Sequence, residues 1–116
     1  MLKVDIIREA EIWHGNIAVS ICENTFDNMR VISSQAADEM LNISGIKAGF
    51  VVYQVDNTVY LSARSLPDIN VQIIMEKLGG GGHASVAGCQ LKNISLQEAR
   101  GYLKDAIVQY MEETKK

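Results

Sequence analysis

The segment Ile46–Val55 restricts the fold of this chain more than any other stretch. Its apolar residues occupy alternate positions and intervening positions alike, which is typical of a strand buried on both faces. Asp56-Asn57 then fits a two-residue hairpin turn, and Thr58–Arg64 alternates apolar and polar residues as a returning antiparallel strand. The pattern therefore predicts a hairpin whose first strand is central in a sheet.

Patterns on either side of the hairpin predict the other elements. They are a strand over 16–22, a helix from Ser33 or Ser34 to about Asn42, a helix over 71–78 capped by Asp68 or Asn70, a turn of helix over 84–87, a short strand over 88–91, and a last helix opened by the capping box Ser95-x-x-Glu98. Residues 1–11 carry no clear pattern, and a turn is expected at 13–15. The sequence therefore predicts an α/β chain of mixed (α+β) type, with three main helices packed on a mixed β-sheet of about four to five strands.

Length and charge limit the functions open to the chain. Residues 1–116 fit a single domain, and the indistinct opening is what a fragment of a longer protein would show. No apolar run reaches the roughly 18 residues of a membrane helix, so we expect no direct membrane contact and a cytoplasmic location. The 11 basic and 14 acidic residues leave a net charge of −3, which disfavours a long polyanion but suits a ligand with one or two phosphates. Cys22 and Cys89 have no metal-binding spacing and are expected to be reduced core thiols.

Four consecutive glycines, Gly79–Gly82, end the helix predicted over 71–78. One glycine is enough for the left-handed residue that stops a helix, and every further glycine adds to the entropy lost on folding. We therefore expect the N–H groups of the tract to converge on an anion, beside the His83 imidazole and the positive end of the short helix predicted after it. The alternatives are a flexible linker and a turn that needs positive φ at two positions.

The same stretch resembles a known family signature. The pattern GGGGH-x₃-AG, residues 79–88, is similar to the GGGH-xx-AAG signature of the DHH-associated domain, the second domain of the DHH phosphoesterase superfamily. Three further segments narrow the resemblance to the C-terminal domain of the membrane-anchored cyclic-di-AMP phosphodiesterases of the GdpP type: Gln35–Asp38, Ser62–Ser65 and Ile69–Leu78. The resemblance covers residues from about Asn16 to about Leu91 and implies a membrane-anchored parent protein.

The resemblance and the side-chain chemistry together select the substrate-binding residues. They are Arg64, Asn70, Gly80, Gly81, Gly82 and His83. Arginine offers a planar fork that matches two phosphate oxygens, and histidine can donate a hydrogen bond or add charge. Arg64 has a structural alternative, an ion pair with Asp68. In the same way His83 could bond to backbone at a helix start, and Asn70 could serve only as a helix cap.

The chain lacks the residues that phosphodiester hydrolysis needs. Hydrolysis requires an activated nucleophile and charge neutralisation, commonly from two metal ions held by clusters of Asp and His. With two histidines far apart and no DHH triplet, the sequence offers no catalytic residue and no metal site. In the family the metal ions, implied to be manganese, belong to the preceding DHH domain. We therefore expect this chain to have no cofactor of its own and to bind substrate without cleaving it.

Three functions stay open from the sequence. The leading hypothesis is the substrate-binding domain of a phosphodiesterase that hydrolyses cyclic-di-AMP, or the linear dinucleotide it yields, with the Gly80–His83 backbone and Arg64 holding a phosphate. The second is a nucleic-acid-binding module of an exonuclease for short RNA or single-stranded DNA. The third is a non-catalytic nucleotide- or tRNA-binding appendage, similar to the one that ends alanyl-tRNA synthetases. The expected partners are a cyclic dinucleotide or short oligonucleotide and the DHH domain of the same parent protein, and homodimerisation stays open.

Overall fold

The computed structural model describes residues 3–25 and 27–115. Within them lie four helices: α1 (Lys3–Arg8), α2 (Met29–Glu39), α3 (Val71–Glu76) and α4 (Leu96–Thr114). The strands are β1 (Glu11–Trp13), β2 (Ile17–Cys22), β3 (Ala48–Val55), β4 (Thr58–Ser65), β5 (Gly81–Gly82) and β6 (Val86–Lys92). A 3-10 turn over Met40–Asn42 prolongs α2 to its predicted end. None of these helices is long and apolar enough to cross a bilayer.

The six strands form one sheet in the order β1-β2-β3-β4-β6-β5. Strand β3 runs parallel to β2 and antiparallel to β4, and the other neighbouring pairs are antiparallel. All but the last two residues of β3 are buried. Asp56, with φ 54, supplies the left-handed residue of the turn between β3 and β4. The predicted hairpin and the central position of its first strand are both confirmed.

Helices cover both faces of this sheet. On one face α3 and α4 pack over a core that includes Phe50 and Leu103. On the other face α1 and α2 pack around Ile6 and Met40. Two apolar sheet faces require a helical layer each, so the predicted α/β class is confirmed. The sheet has six strands rather than four to five, and four helices pack on it rather than three main ones.

The opening of the chain differs from the expectation. Residues 1–11 show no pattern in the sequence, yet Lys3–Arg8 form α1 and Glu11–Trp13 form an edge strand beside β2. The predicted turn then follows at His14 and Gly15, with φ 56 and 80. Helix α1 has 6 residues and β1 has 3, too few to display a period. Burial against the rest of the fold decides these elements, and residues 1 and 2 lie outside the described part of the chain.

Helix α2 begins at Met29, earlier than the predicted caps Ser33 and Ser34. Asn28 precedes the helix with φ 66, and its side chain makes no capping hydrogen bond. Ser33 is instead fully buried inside the helix, where its Oγ lies 3.1 Å from Ser62 Oγ of β4. The predicted cap is therefore wrong, because burial of Met29 against the sheet adds a first turn that the serines could not indicate.

The two cysteines are free and buried. Cys22 lies in the core beneath α1 and α2, and Cys89 lies in the core beneath α3 and α4. Burial raises the pKa of both thiols above the usual value for cysteine. Their predicted place in the core is confirmed.

Candidate functional site

An open groove lies on the face of the sheet that carries α2. Helix α2 packs on β3 and on the near side of β4, which leaves part of β4 and β6 uncovered. The groove has a volume of about 1150 Å³. Asp27–Arg30 form one wall and Gly79–His83 form the other. The glycine tract that stands out in the sequence is therefore one side of a groove.

Paired residues of β4 and β6 make the floor of the groove. The pairs are Tyr60–Gln90, Ser62–Gly88 and Arg64–Val86. Gly81 of β5 stands opposite Gly88 on the other side of β6. Directly opposed residues in a sheet share a face, so Gly81 and Gly88 leave a strip of bare backbone in the middle of the floor.

The first two glycines of the tract end α3 and join it to the sheet. Gly79 has φ 85. The N–H groups of Gly79 and Gly80 donate to the carbonyls of Glu76 and Met75 at 3.1 and 2.8 Å, the bond pattern of a Schellman motif. A Cβ on Gly80 would lie 2.2 Å from the carbonyl oxygen of Gly88. Gly79 is thus the predicted helix stop, and Gly80 allows the backbone to pack against β6.

The other two glycines differ in what the fold requires of them. Gly82 has φ 144, and a Cβ there would lie 2.4 Å from the carbonyl oxygen of Val86. Gly81 has no positive φ, and no atom lies within 4 Å of its Cβ position. Of the four glycines, Gly81 is the one that the described fold does not require, and a side chain there would fill the groove beside Gly88.

The turn of helix predicted over 84–87 is wrong, and a β-hairpin takes its place. The His83 N–H donates to the Val86 carbonyl at 2.7 Å and the Val86 N–H donates back at 3.3 Å, leaving Ala84-Ser85 as the turn. The Ala84 carbonyl accepts a hydrogen bond from the Val71 N–H at 2.9 Å, which ties the turn to α3. No helix begins after His83 to add positive charge, and the tract is an ordered turn and strand rather than a linker.

The hairpin places His83 in one row with Arg64 across the sheet. Val86 pairs with Arg64 on one side and exchanges two hydrogen bonds with His83 on the other. Since neighbouring strands lie about 4.8 Å apart, the Cα atoms of Arg64 and His83 are roughly 10 Å apart. Both residues line the groove. The structure therefore brings the two predicted side chains to a shared groove, and their contact with one phosphate stays a prediction.

The Arg64 guanidinium has no carboxylate partner within 4 Å in the described part of the chain. Its Nη1 donates to the Ala63 carbonyl at 2.8 Å. Asp68, the alternative partner considered from the sequence, lies 3.9 Å from the Lys47 Nζ instead. The charge of Arg64 is therefore available to an anion in the groove.

Asn70 lies at the start of α3, apart from the residues that line the groove. Its Oδ1 accepts a hydrogen bond from the Ile73 N–H at 3.2 Å, and its own N–H donates to the Tyr110 hydroxyl at 2.9 Å. Helices α3 and α4 cover the sheet face opposite the groove. The capping role is confirmed, and a substrate contact for Asn70 stays a prediction that the groove does not support.

The sequence does not predict the group of hydroxyl side chains that lies beneath the groove. Ser33 Oγ lies 3.1 Å from Ser62 Oγ. Tyr53 stacks on Tyr60, with ring centroids 5.2 Å apart. Burial raises the pKa of Tyr53, so its hydroxyl stays protonated at neutral pH. The sequence signal for Ser62 was the alternation of β4, which places it on the same face as Arg64.

The groove is more basic than the chain as a whole. Arg30, Arg64 and His83 line it, and Asp27 is the one carboxylate among its described lining residues. The whole chain, by contrast, has a net charge of −3. In residues 3–25 and 27–115 no group of three or more His, Cys, Asp or Glu residues could hold a metal ion. The side chains of the groove are therefore suited to a small anion.

A comparison with family models covers the residues of this groove. Residues 14–113 match the family model described as DHHA1 domain. The chain belongs to the DHHA1 domain family. Both walls and the floor of the groove lie within the matched residues, so the groove is a feature of the DHHA1 domain itself.

Two curated relatives of this DHHA1 domain are cyclic-di-AMP phosphodiesterases. PdeA of Listeria monocytogenes is 44% identical over 106 residues, which are 90% of this chain and 16% of PdeA. GdpP of Bacillus subtilis is 45% identical over 115 residues, which are 95% of this chain and 17% of GdpP. The chain therefore spans less than a fifth of the length of these relatives.

The fold also occurs in a solved structure with little sequence similarity. An exopolyphosphatase-related protein from Bacteroides fragilis matches with a TM-score of 0.80 at 16% identity. The match covers 98% of this chain and 35% of that protein chain. The fold of this chain is therefore shared with a protein of low sequence identity.

Proposed function

We propose that this DHHA1 domain is the substrate-binding domain of a phosphodiesterase that hydrolyses cyclic-di-AMP or the linear dinucleotide derived from it. The relatives that carry this activity by name are 44% and 45% identical over nearly the whole chain. They are much longer than the chain, so the activity belongs to the whole parent protein in this proposal.

The observation that carries the proposal is the row formed by Arg64, Val86 and His83 beside the bare backbone of Gly81 and Gly88. An arginine fork and an imidazole can hold a phosphate from two sides. The missing side chains at Gly81 and Gly88 let the ligand approach the backbone closely. The N–H groups of Gly79, Gly80 and His83 already donate to protein carbonyls, contrary to the expectation that they converge on an anion, so the side chains of Arg64 and His83 would hold the phosphate. The ligand would lie across β4, β6 and β5.

Cleavage in this proposal takes place on another part of the parent protein. A preceding DHH domain would hold manganese ions, which neutralise charge at the phosphorus and activate water. This domain would bind the dinucleotide and hold it against that site. The residues of the groove, with one carboxylate and one histidine, fit the substrate and not the metal ions.

The test is binding of cyclic-di-AMP to the 116-residue chain, measured by isothermal titration calorimetry. Gly81→Val should weaken binding at least tenfold, because the valine side chain would occupy the floor of the groove. Gly101→Val is the matched control, since Gly101 also has open space at its Cβ position and lies on α4, away from the groove. Equal affinities of the parent and Gly81→Val would contradict the proposed site. A parent chain that binds neither cyclic-di-AMP nor its linear dinucleotide would contradict the proposed function.

A further inference from the structure

The groove has a second basic end, formed by Arg30. Helix α2 crosses the sheet from Ser62, whose Oγ lies 3.1 Å from Ser33 Oγ, towards Gly49, whose Cβ position lies 2.6 Å from the Ala37 carbonyl oxygen. Arg30 precedes Ser33 by one turn and therefore lies on the Tyr60 side of Ser62. Gly49 and Tyr53 pair with the two ends of the groove floor on β4.

Register in the β3–β4 hairpin separates the two arginines. Gly49 stands opposite Arg64, and Tyr53 stands opposite Tyr60. Tyr60 and Arg64 are four residues apart on β4, which corresponds to roughly 13 Å at about 3.3 Å per residue. Arg30 therefore lies near the Tyr60 end of the groove, and Arg64 lies at the opposite end.

Arg30 forms no ion pair in the part of the chain that the structure describes. Its side chain is exposed, lines the groove, and has no carboxylate within 4 Å in residues 3–25 and 27–115. Between Arg30 and Arg64 the floor presents the Ser62 hydroxyl and the bare backbone of Gly88. Asp27, three residues before Arg30 on the same wall, is the one carboxylate among the described lining residues and forms no ion pair with Arg30. A groove with a cation at each end and neutral hydrogen-bonding groups on the floor between them is complementary to a ligand with two separated anionic groups.

We propose that Arg30 is a second phosphate-binding residue, so that the groove selects a dinucleotide with two phosphate groups over one with a single phosphate. The inference rests on the proposed function, because the Arg64 end must hold the first phosphate. Arg30 then holds the second, and the two contacts act separately because the arginines lie more than about 10 Å apart. Cyclic-di-AMP and its linear 5′-phosphorylated dinucleotide both carry two phosphates, and the linear form permits a test because its terminal phosphate can be removed.

Two matched ligands test this inference. Adenylyl-adenosine has one phosphate, and its 5′-phosphorylated form has two but is otherwise identical. The parent chain should bind the two-phosphate form more tightly. With that form Arg30→Ala should weaken binding by up to roughly fivefold, the upper end of the range expected for a charge contact at an exposed site. With the ligand that lacks the terminal phosphate, alanine substitution of one of the two arginines should no longer change the affinity. Substitution of the other arginine should still weaken binding.

Arg8→Ala is the matched control, because Arg8 is exposed on α1, outside the groove, and its loss changes the net charge equally. It should leave both affinities within about twofold. If Arg30→Ala changes neither affinity, or if Arg30→Ala and Arg64→Ala each have the same effect on both ligands, the inference is overturned while the proposed function stands. If the parent binds neither dinucleotide, nor cyclic-di-AMP, the proposed function and the inference fall together.

Discussion

Replacing Gly82 with alanine should destabilise this DHHA1 domain, whereas the same change at Gly81 should not. At Gly82 the backbone has φ 144, and a Cβ would lie 2.4 Å from the Val86 carbonyl oxygen and 2.6 Å from the Ala87 Cα. A non-glycine residue in such a conformation costs of order 1–3 kcal/mol. The backbone of the hairpin must also move to relieve the contact. We expect Gly82→Ala to lower the free energy of unfolding by about 3 kcal/mol.

At Gly81 the same substitution meets neither obstacle. No atom lies within 4 Å of the Cβ position, and φ is not positive. Alanine restricts the unfolded chain more than glycine does, so Gly81→Ala should raise the free energy of unfolding by about 0.4–1 kcal/mol. Two adjacent glycines in one short strand are therefore expected to change stability in opposite directions.

Thermal unfolding followed by circular dichroism measures both changes. For a chain of this length 1 kcal/mol corresponds to about 4 °C in Tm. Gly82→Ala should thus lower Tm by roughly 12 °C, and Gly81→Ala should raise it by up to about 4 °C. Gly101→Ala, at an exposed helical position with open space, should also raise Tm. Equal losses at Gly81 and Gly82 would refute the distinction drawn between them.

Three further predictions concern binding, chemistry and pH. Arg64→Ala should weaken cyclic-di-AMP binding roughly 10- to 150-fold. Arg64→Lys should restore only part of the lost affinity. If Arg64 and His83 contact one phosphate, calorimetry of the variant that combines Arg64→Ala with His83→Ala should show a loss of binding free energy that differs from the sum of the two single losses. The chain alone should not hydrolyse cyclic-di-AMP in the presence of manganese, and steady turnover that a chelator abolishes would overturn this. Hydrogen bonds from Arg100 and then Trp13 lower the pKa of Glu11, so its stabilising effect is present above about pH 4.3 and is lost as the pH falls through the folded-state pKa. The difference in urea-unfolding free energy between the parent and Glu11→Gln should therefore shrink in acid, and a pH-independent difference would contradict the assignment.

Only part of the candidate site could be predicted from the sequence. Arg64 and His83 were selected by chemistry and by resemblance, and they do line one groove. Asn70 was selected on the same grounds but caps α3 outside the groove, as its alternative interpretation allowed. Arg30 was not predicted to line the groove, because no local sequence pattern indicates it. It does so because α2 starts at Met29, earlier than Ser33 and Ser34 indicate.

Local interactions account for the features that could be predicted correctly. A run of apolar residues predicts the strand Ala48–Val55, and residues that tolerate positive φ predict the turn at Asp56. The capping box of Ser95 and the helix stop at Gly79 are made by groups a few residues apart. A short stretch of sequence contains both partners of such interactions, so it is sufficient to specify them.

Contacts between distant segments decide the rest. Ala84 and Val86 form a hairpin rather than a helix because the hairpin pairs with β4 and its turn bonds to α3. The same pairing makes Gly82 necessary for the backbone and leaves Gly81 bare towards the groove, although the two are identical in the sequence. Which glycine the backbone requires and which one leaves open space in the groove depends on the strand that lies opposite, and only the tertiary structure brings that strand into place.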